Sequence, residues 1–237
     1  MVSNAAADDQ SIIKINWPRA VRVIYSIYPP IDLFEDIADP EDWDAIASAE
    51  AKTNPRLAER IGKLDLVPPE RRVSGTGASY LMAPFVHCST DRPGRFTDGS
   101  FGIYSAGNSD EVAIREVAYH HGLTMADSQE EPGWTAQFRQ LVAAIDTDLV
   151  DLRGQGEFHK PDDYHLPQKI GATLRQQGFN GIVYDSVRCP GGECAGLFWP
   201  DLIVPPRQGD HYRFHWDGTQ VDRFMIEGSN DVFSLIG

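Results

Sequence analysis

The chain has 237 residues, with 21 Lys and Arg against 35 Asp and Glu, for a formal net charge of −14. Apolar residues make up 41% and charged residues 24%, as in an ordinary globular domain, and the acidity argues against a nucleic-acid surface, which needs clustered cations. No apolar run approaches the roughly 20 residues that span a bilayer, and Met1 to Ser11 has neither the basic nor the apolar region of a secretion leader. A cytoplasmic protein that avoids membranes and nucleic acids is expected. The odd cysteine count (Cys88, Cys189, Cys194) does not suit a disulfide framework. Cys189 and Cys194 lack two further ligands at knuckle spacing, so no metal is expected.

In chain order, residues 1–16 read as a loose tail, leaving 17–237 as a single domain. Arg22 to Tyr28 is β-branched and aromatic and reads as a strand ended by Pro29-Pro30. Ile31 to Ala38 and Pro40 to Lys52 read as helices, the second opened by Asp39-Pro40, and Pro55 to Gly62 as a short third. These belong to a helical elaboration at 29–75. Tyr80 to His87 reads as extended. Asp98-Gly99 signals a tight turn between two short extended segments, with Gly102 making room beside Tyr104. Asn108 and Glu111 form a capping-box pattern for a helix that Gly122 would stop. Thr135 to Ile145 reads as a helix, Leu149 to Leu152 as a strand, Leu166 to Gln177 as a helix ended by Gly178, and Gly181 to Tyr184, Cys194 to Trp199 and His211 to Trp216 as strands. Without a regular βαβ rhythm the pattern favours an α+β fold. Neither a dinucleotide fingerprint nor a P-loop is present.

Two stretches carry a resemblance. APFVHCSTDRPGRFTDGSFGIYSAGNSDEVAIREVAYHH, from Ala83 to His121, and GFNGIVYDSVRCPGGECAGLF, from Gly178 to Phe198, resemble the central and C-terminal signatures of RES-domain proteins. YPPIDLFEDIADPEDWDAI and TNPRL upstream resemble the longer members, so the likeness covers about residues 20–217. By position the family's Arg, Glu and Ser map to Arg95, Glu116 and Ser186, and its intervening aromatic to Tyr104. Asp185 departs from the pattern, because many relatives carry Pro there, and this alters the loop presenting Ser186. The resemblance implies an ADP-ribosyltransferase-like core of two small packed sheets. It also implies a toxin neutralised by a helix-turn-helix type antitoxin, in a complex of higher order, with NAD⁺ as its co-substrate.

The chemistry asks for the same residue types. Cleaving a nicotinamide–ribose bond builds positive charge on the sugar, and the leaving group is already cationic. A carboxylate that orients the ribose hydroxyls is therefore the main need, and Glu116 is the candidate. Arg95 can fork onto the pyrophosphate, Tyr104 can stack on nicotinamide, and Ser186 can hydrogen-bond a ribose or phosphate. Arg188 is a second phosphate candidate. Tyr25, Ser26 and Tyr28 on the first strand are candidates that the sequence does not separate. His120 and His121 read as cations favouring a helix C-terminus. The ADP-ribose acceptor is a protein, or else water or phosphate in an NAD⁺ glycohydrolase or phosphorylase. Two other readings are an acidic, non-enzymatic interaction module and a glycoside hydrolase using carboxylates such as Glu111 and Glu193.

Overall fold

The computed structural model describes residues 10–27, 34–35, 38–53, 61–229 and 231–236. Its longest strands are β1 (Ile12–Tyr25) and β3 (Gly133–Asp151), paired antiparallel from Ile12 opposite Val150 to Tyr25 opposite Phe138. Pro18 lies where the register shifts between Trp17 and Ala20, as expected for a residue with no N–H to donate. The expected tail is thus shorter: Ile12 to Asn16 already belong to β1, with Ile15 buried.

Eight strands form one hydrogen-bonded set in the order β1-β2-β5-β4-β3-β6-β7-β8, and the β1–β3 pairing closes five of them into a ring. Here β2 is Tyr104–Gly107, β4 Gly181–Asp185, β5 Glu193–Leu197, β6 Arg207–Trp216, β7 Val221–Ile226 and β8 Val232–Ser234. Among the described residues only β3 and β4 pair parallel, at Val150–Ile182 and Asp151–Val183. The intervening helix α4 (His165–Gln176) is the crossover that parallel neighbours need. Further helices among the described residues are α1 (Trp43–Thr53), α2 (Ala78–Val86) and α3 (Asp110–Ser128). The expected α+β class is observed.

Four local expectations are corrected. Tyr80–His87 is not extended: Tyr80 to Val86 lie in α2 and His87 caps its end; Ala78, Leu81, Met82 and Phe85 sit at helical spacing and are buried. Thr135–Ile145 is not a helix but the middle of β3, where Leu141, Ala143, Ile145, Thr147 and Leu149 are buried in strict alternation. Asp98-Gly99 closes no hairpin. Gly99 has φ +89°, and Asp98 caps the turn through the Ser100 N–H at 2.9 Å, but β2 pairs with β5 and β1 instead. Gly102 does not open space beside Tyr104: a Cβ there would lie 2.2 Å from the Pro84 carbonyl oxygen, so the glycine lets α2 pack against the chain.

Helix α3 is capped by Ser109, whose hydroxyl accepts from the Val112 N–H at 3.3 Å, rather than by Asn108. It runs through Gly122 to Ser128, so His120 and His121 lie inside it. The elaboration at 29–75 contributes α1 and two short 3₁₀ turns, Leu64–Leu66 and Pro69–Arg71. Buried Arg72 ties α1 to them, donating to Asp44 at 2.9 Å and to the Val67 carbonyl at 3.1 Å. The expected helix at Pro55–Gly62, all but its last two residues, and most of that at Ile31–Ala38 lie outside the described residues.

Candidate active site

The site is assembled by α3, the ends of β4 and β5, and the loop that carries Arg95. Val112, Ala113, Ile114, Ala118 and His121 bury one stripe of α3. Glu116 falls between buried and exposed faces and reaches the loop after β4. There the Ser186 hydroxyl donates to Glu116 Oε1 at 2.6 Å. That hydroxyl also accepts the Cys189 N–H at 3.0 Å and the Arg188 N–H at 3.3 Å. The serine is only 6% exposed, so this is a preset arrangement, with its hydroxyl hydrogen committed to the carboxylate. A second donor, the Cys194 thiol on β5, stands 3.8 Å from the same oxygen. Burial, and then the Glu116 charge, push the Cys194 thiol's pKa well up, which keeps it a neutral donor. Asp185, the departure from the family pattern, accepts the Gly154 N–H at 2.7 Å and so anchors the neighbouring loop.

Tyr184, beside Ser186 on β4, is nearly buried and packs on Phe96 at 4.7 Å between ring centroids. Burial raises its pKa well above the ordinary phenol; the fields of Glu116 and Arg95 act on it in opposite senses. Both therefore stand near one ring. The same two groups, with Arg188, act on His120, whose pKa is lowered first by desolvation, raised by Glu116 and lowered by the two arginines. Ser186 links the Arg188 N–H to Glu116, and Arg188 and Arg95 both donate to the Pro161 carbonyl, so the three share one side of the molecule.

Beside Tyr184 lies a cavity of about 230 Å³ lined by Arg22, Arg92, Arg95, Thr97 and Ser105, among others. Arg22, on β1, was missed by sequence reasoning, which looked further along the strand. Its guanidinium sits 5.0 Å over the Tyr104 ring and donates to the Ser105 carbonyl at 2.9 Å, while its Nε is buried without a partner. The available signal was a lone cation between Val21 and Val23, which face the opposite side of the strand.

Arg95 donates to the carbonyls of Lys160 at 2.7 Å and Phe158 and Pro161 at 3.4 Å, with its guanidinium 4.5 Å over Tyr164. Arg188 donates to the Pro161 carbonyl at 2.8 Å and lies 3.3 Å over the Tyr119 ring.

The sequence matches the RES domain family over residues 69–217, more than half of the chain. The chain belongs to the RES-domain family. The uncharacterized protein y4oC of Sinorhizobium fredii (strain NBRC 101917 / NGR234) is 24% identical over 229 residues, spanning 90% of this chain and 95% of its own. The crystal structure of the M. tuberculosis MbcT–MbcA toxin–antitoxin complex contains a chain 10% identical to this one. It aligns over 90% of this chain and 91% of its own with a TM-score of 0.45, too low to carry an argument.

Arg95, Glu116 and Ser186, the positions expected for the family's Arg, Glu and Ser, all lie within the matched residues 69–217. Three candidates fall differently from expectation. Tyr104 is 0% exposed in the core, and Arg22 covers its ring, so it presents no face for stacking. The aromatic residues that line the cavity are Phe96, Phe101 and Tyr184 instead. Ser26 does not line the cavity: its N–H donates to the Gln137 carbonyl at 2.9 Å and its carbonyl accepts from Arg139. Tyr25 packs on Phe138 at 4.8 Å and does not line the cavity either. Tyr28 lies outside the described residues. His121 is not a helix-end cation, because it is buried against Phe138 with its ring nitrogen 2.9 Å from the Thr135 hydroxyl. Among the described residues no His, Cys, Asp and Glu group could hold a metal, and no helix is long and apolar enough to cross a membrane.

Proposed function

We propose that this RES-domain protein is the toxin of a bacterial toxin–antitoxin pair. It cleaves the nicotinamide–ribose bond of NAD⁺ and passes ADP-ribose to a protein acceptor. The supporting observation is a carboxylate, Glu116, held at 2.6 Å by Ser186, whose hydroxyl also accepts the Arg188 N–H, with Arg188 and Arg95 meeting on the Pro161 carbonyl. Both donors to Glu116 go to Oε1, which leaves Oε2 for the hydroxyls of a ribose.

In this reading Arg95, with Arg22 and Arg188, binds the pyrophosphate. The C1′–N bond breaks, and its electron pair departs with neutral nicotinamide. The Glu116 carboxylate stabilises the positive charge that spreads over C1′ and the ring oxygen. An acceptor lone pair then closes a new bond to C1′, and the acceptor's proton leaves to solvent. Tyr104 supports Arg22 rather than touching the ligand, and Phe96, Phe101 and Tyr184 supply the aromatic lining. The proposed partner is a helix-turn-helix type antitoxin in a higher-order complex, and the chain acts in the cytoplasm.

The test is mass spectrometry of NAD⁺ with the pure protein, with and without bacterial lysate. Nicotinamide release with a mass gain on a lysate protein is expected. Free ADP-ribose or its phosphate adduct would identify the glycohydrolase or phosphorylase alternative instead. No release under either condition would refute NAD⁺ cleavage and favour a binding module.

A further inference from the structure

The loop between β3 and α4 places the segment Lys160–Tyr164, which has no regular secondary structure, against Arg95 and Arg188, two of the three arginines proposed for the pyrophosphate. Its Pro161 carbonyl accepts from both, from Arg188 at 2.8 Å and Arg95 at 3.4 Å. Arg95 also takes the Lys160 carbonyl, at 2.7 Å. The Asp162 carboxylate stands 4.0 Å from Arg188 and accepts from the Tyr119 hydroxyl at 3.2 Å. Among the described residues, the hydrogen bonds that tie Pro161 and Asp162 to the body all end on Arg95, Arg188 or Tyr119. Pro161, Asp162 and Asp163 are exposed.

We infer that Lys160–Tyr164 is a strap that occupies the anion site and that only a ligand bridging both arginines displaces. The inference rests on the NAD⁺ reading of the site and adds its selectivity. A guanidinium prefers an anionic oxygen to a neutral carbonyl, so a diphosphate competes well for these N–H groups. It also repels Asp162, which stands where one of its phosphates would bind. A nucleotide with a single phosphate satisfies one arginine and leaves the other on the strap. The site therefore selects a dinucleotide or nucleoside diphosphate sugar over a mononucleotide by making the ligand replace protein contacts on two arginines at once.

The experiment uses the whole chain, with ADP-ribose and AMP as probes. Calorimetry measures affinity, and amide hydrogen exchange follows residues 159–164. ADP-ribose should bind and speed exchange in the segment, while AMP binds at least about tenfold more weakly. Asp162→Asn, which removes one anion from an exposed position, should narrow the gap by strengthening AMP. If ADP-ribose binds while exchange at 159–164 is unchanged or slowed, the strap is refuted and the NAD⁺ reading stands. If ADP-ribose does not bind at all, both are refuted. If AMP binds as tightly as ADP-ribose, the two-arginine selectivity is wrong.

Discussion

Ser186→Ala and Glu116→Gln should separate the stability of the site from its chemistry. In the wild type the Ser186 hydroxyl serves three groups at once. Its bond to Glu116 belongs to the charged class that contributes about 1.5–3 kcal/mol. Its loss also strands the buried Cys189 N–H, at about 1–3 kcal/mol. Relaxation shares these terms, so Ser186→Ala should cost about 3 kcal/mol. For a chain of this size that lowers the melting temperature by roughly 6–12 °C. In Glu116→Gln the amide oxygen still accepts from Ser186, and the expected loss is about 1 kcal/mol. Nicotinamide release should order them the other way. Without the carboxylate, turnover falls about 10²–10³-fold, on the scale of other preset electrostatic groups. Without the serine the carboxylate remains but is poorly held, and turnover falls about tenfold. Thermal unfolding and an NAD⁺ turnover assay read both orders. A Ser186→Ala protein that melts with the wild type would show that the 2.6 Å bond does not form in solution. A Glu116→Gln protein with full turnover would show that another group stabilises the sugar.

Tyr104→Phe should be neutral to stabilising by about 1 kcal/mol, because the buried hydroxyl has no partner and its removal ends a desolvation penalty; chemical denaturation checks this, and a large loss of turnover would give the hydroxyl a role denied it here. Burial pushes the Tyr104 phenol up to about 12. Its contribution to stability is thus complete below pH 10 and lost as pH rises from 10 towards 12, so alkaline unfolding should be shallower in Tyr104→Phe. His121 has its pKa lowered by burial. Stability should fall as pH drops below 6.5, where the unfolded chain takes up the proton first, and His121→Gln should flatten that part of the pH–stability curve. Gly171→Ala places a Cβ 2.0 Å from the Phe96 carbonyl oxygen. The Arg95–Phe96 segment must move from α4, with a stability loss of about 1–3 kcal/mol and a raised KM for NAD⁺, and unchanged kinetics would separate Arg95 from binding.

The elements that were legible in the sequence are those with unambiguous ends or periods. α4 stops at Gly178, which adopts φ +84°, and β4 is a short β-branched run. Helix α2 was misread because almost every residue in it is buried, so no polar face marks its period. β3 was misread over its middle because Ala143, Ala144 and Gln140 are good helix formers, and tertiary pairing with β1 and β6 overrides that preference. At the candidate site, Arg95, Glu116 and Ser186 were named from the family resemblance. Spacing alone does not show that residues 70 positions apart meet at 2.6 Å. Arg22 was missed because one arginine on a strand has no local mark; its meaning comes from the Tyr104 ring beneath it and the cavity it faces.

The proposal that a chain of net charge −14 binds a dinucleotide anion turns on where its cations spend their charge. Several arginines away from the site are neutralised in place: Arg19 by Asp110 at 2.6 Å, Arg72 by Asp44 at 2.9 Å, and Arg153 by Asp151 and Glu193, both at 2.7 Å. The site arginines are held differently. Arg22 rests on the Ser105 carbonyl and the Tyr104 ring, Arg95 on loop carbonyls and Tyr164, and Arg188 on the Pro161 carbonyl and Tyr119. Carbonyls and ring faces fix a guanidinium without cancelling its charge. The 4.0 Å approach of Asp162 to Arg188 is long for an ion pair and comes from an exposed side chain, which screening weakens. Local positive potential therefore survives at the site inside an acidic molecule, and attraction of the anion should weaken with salt over the short range of a Debye length rather than follow the net charge.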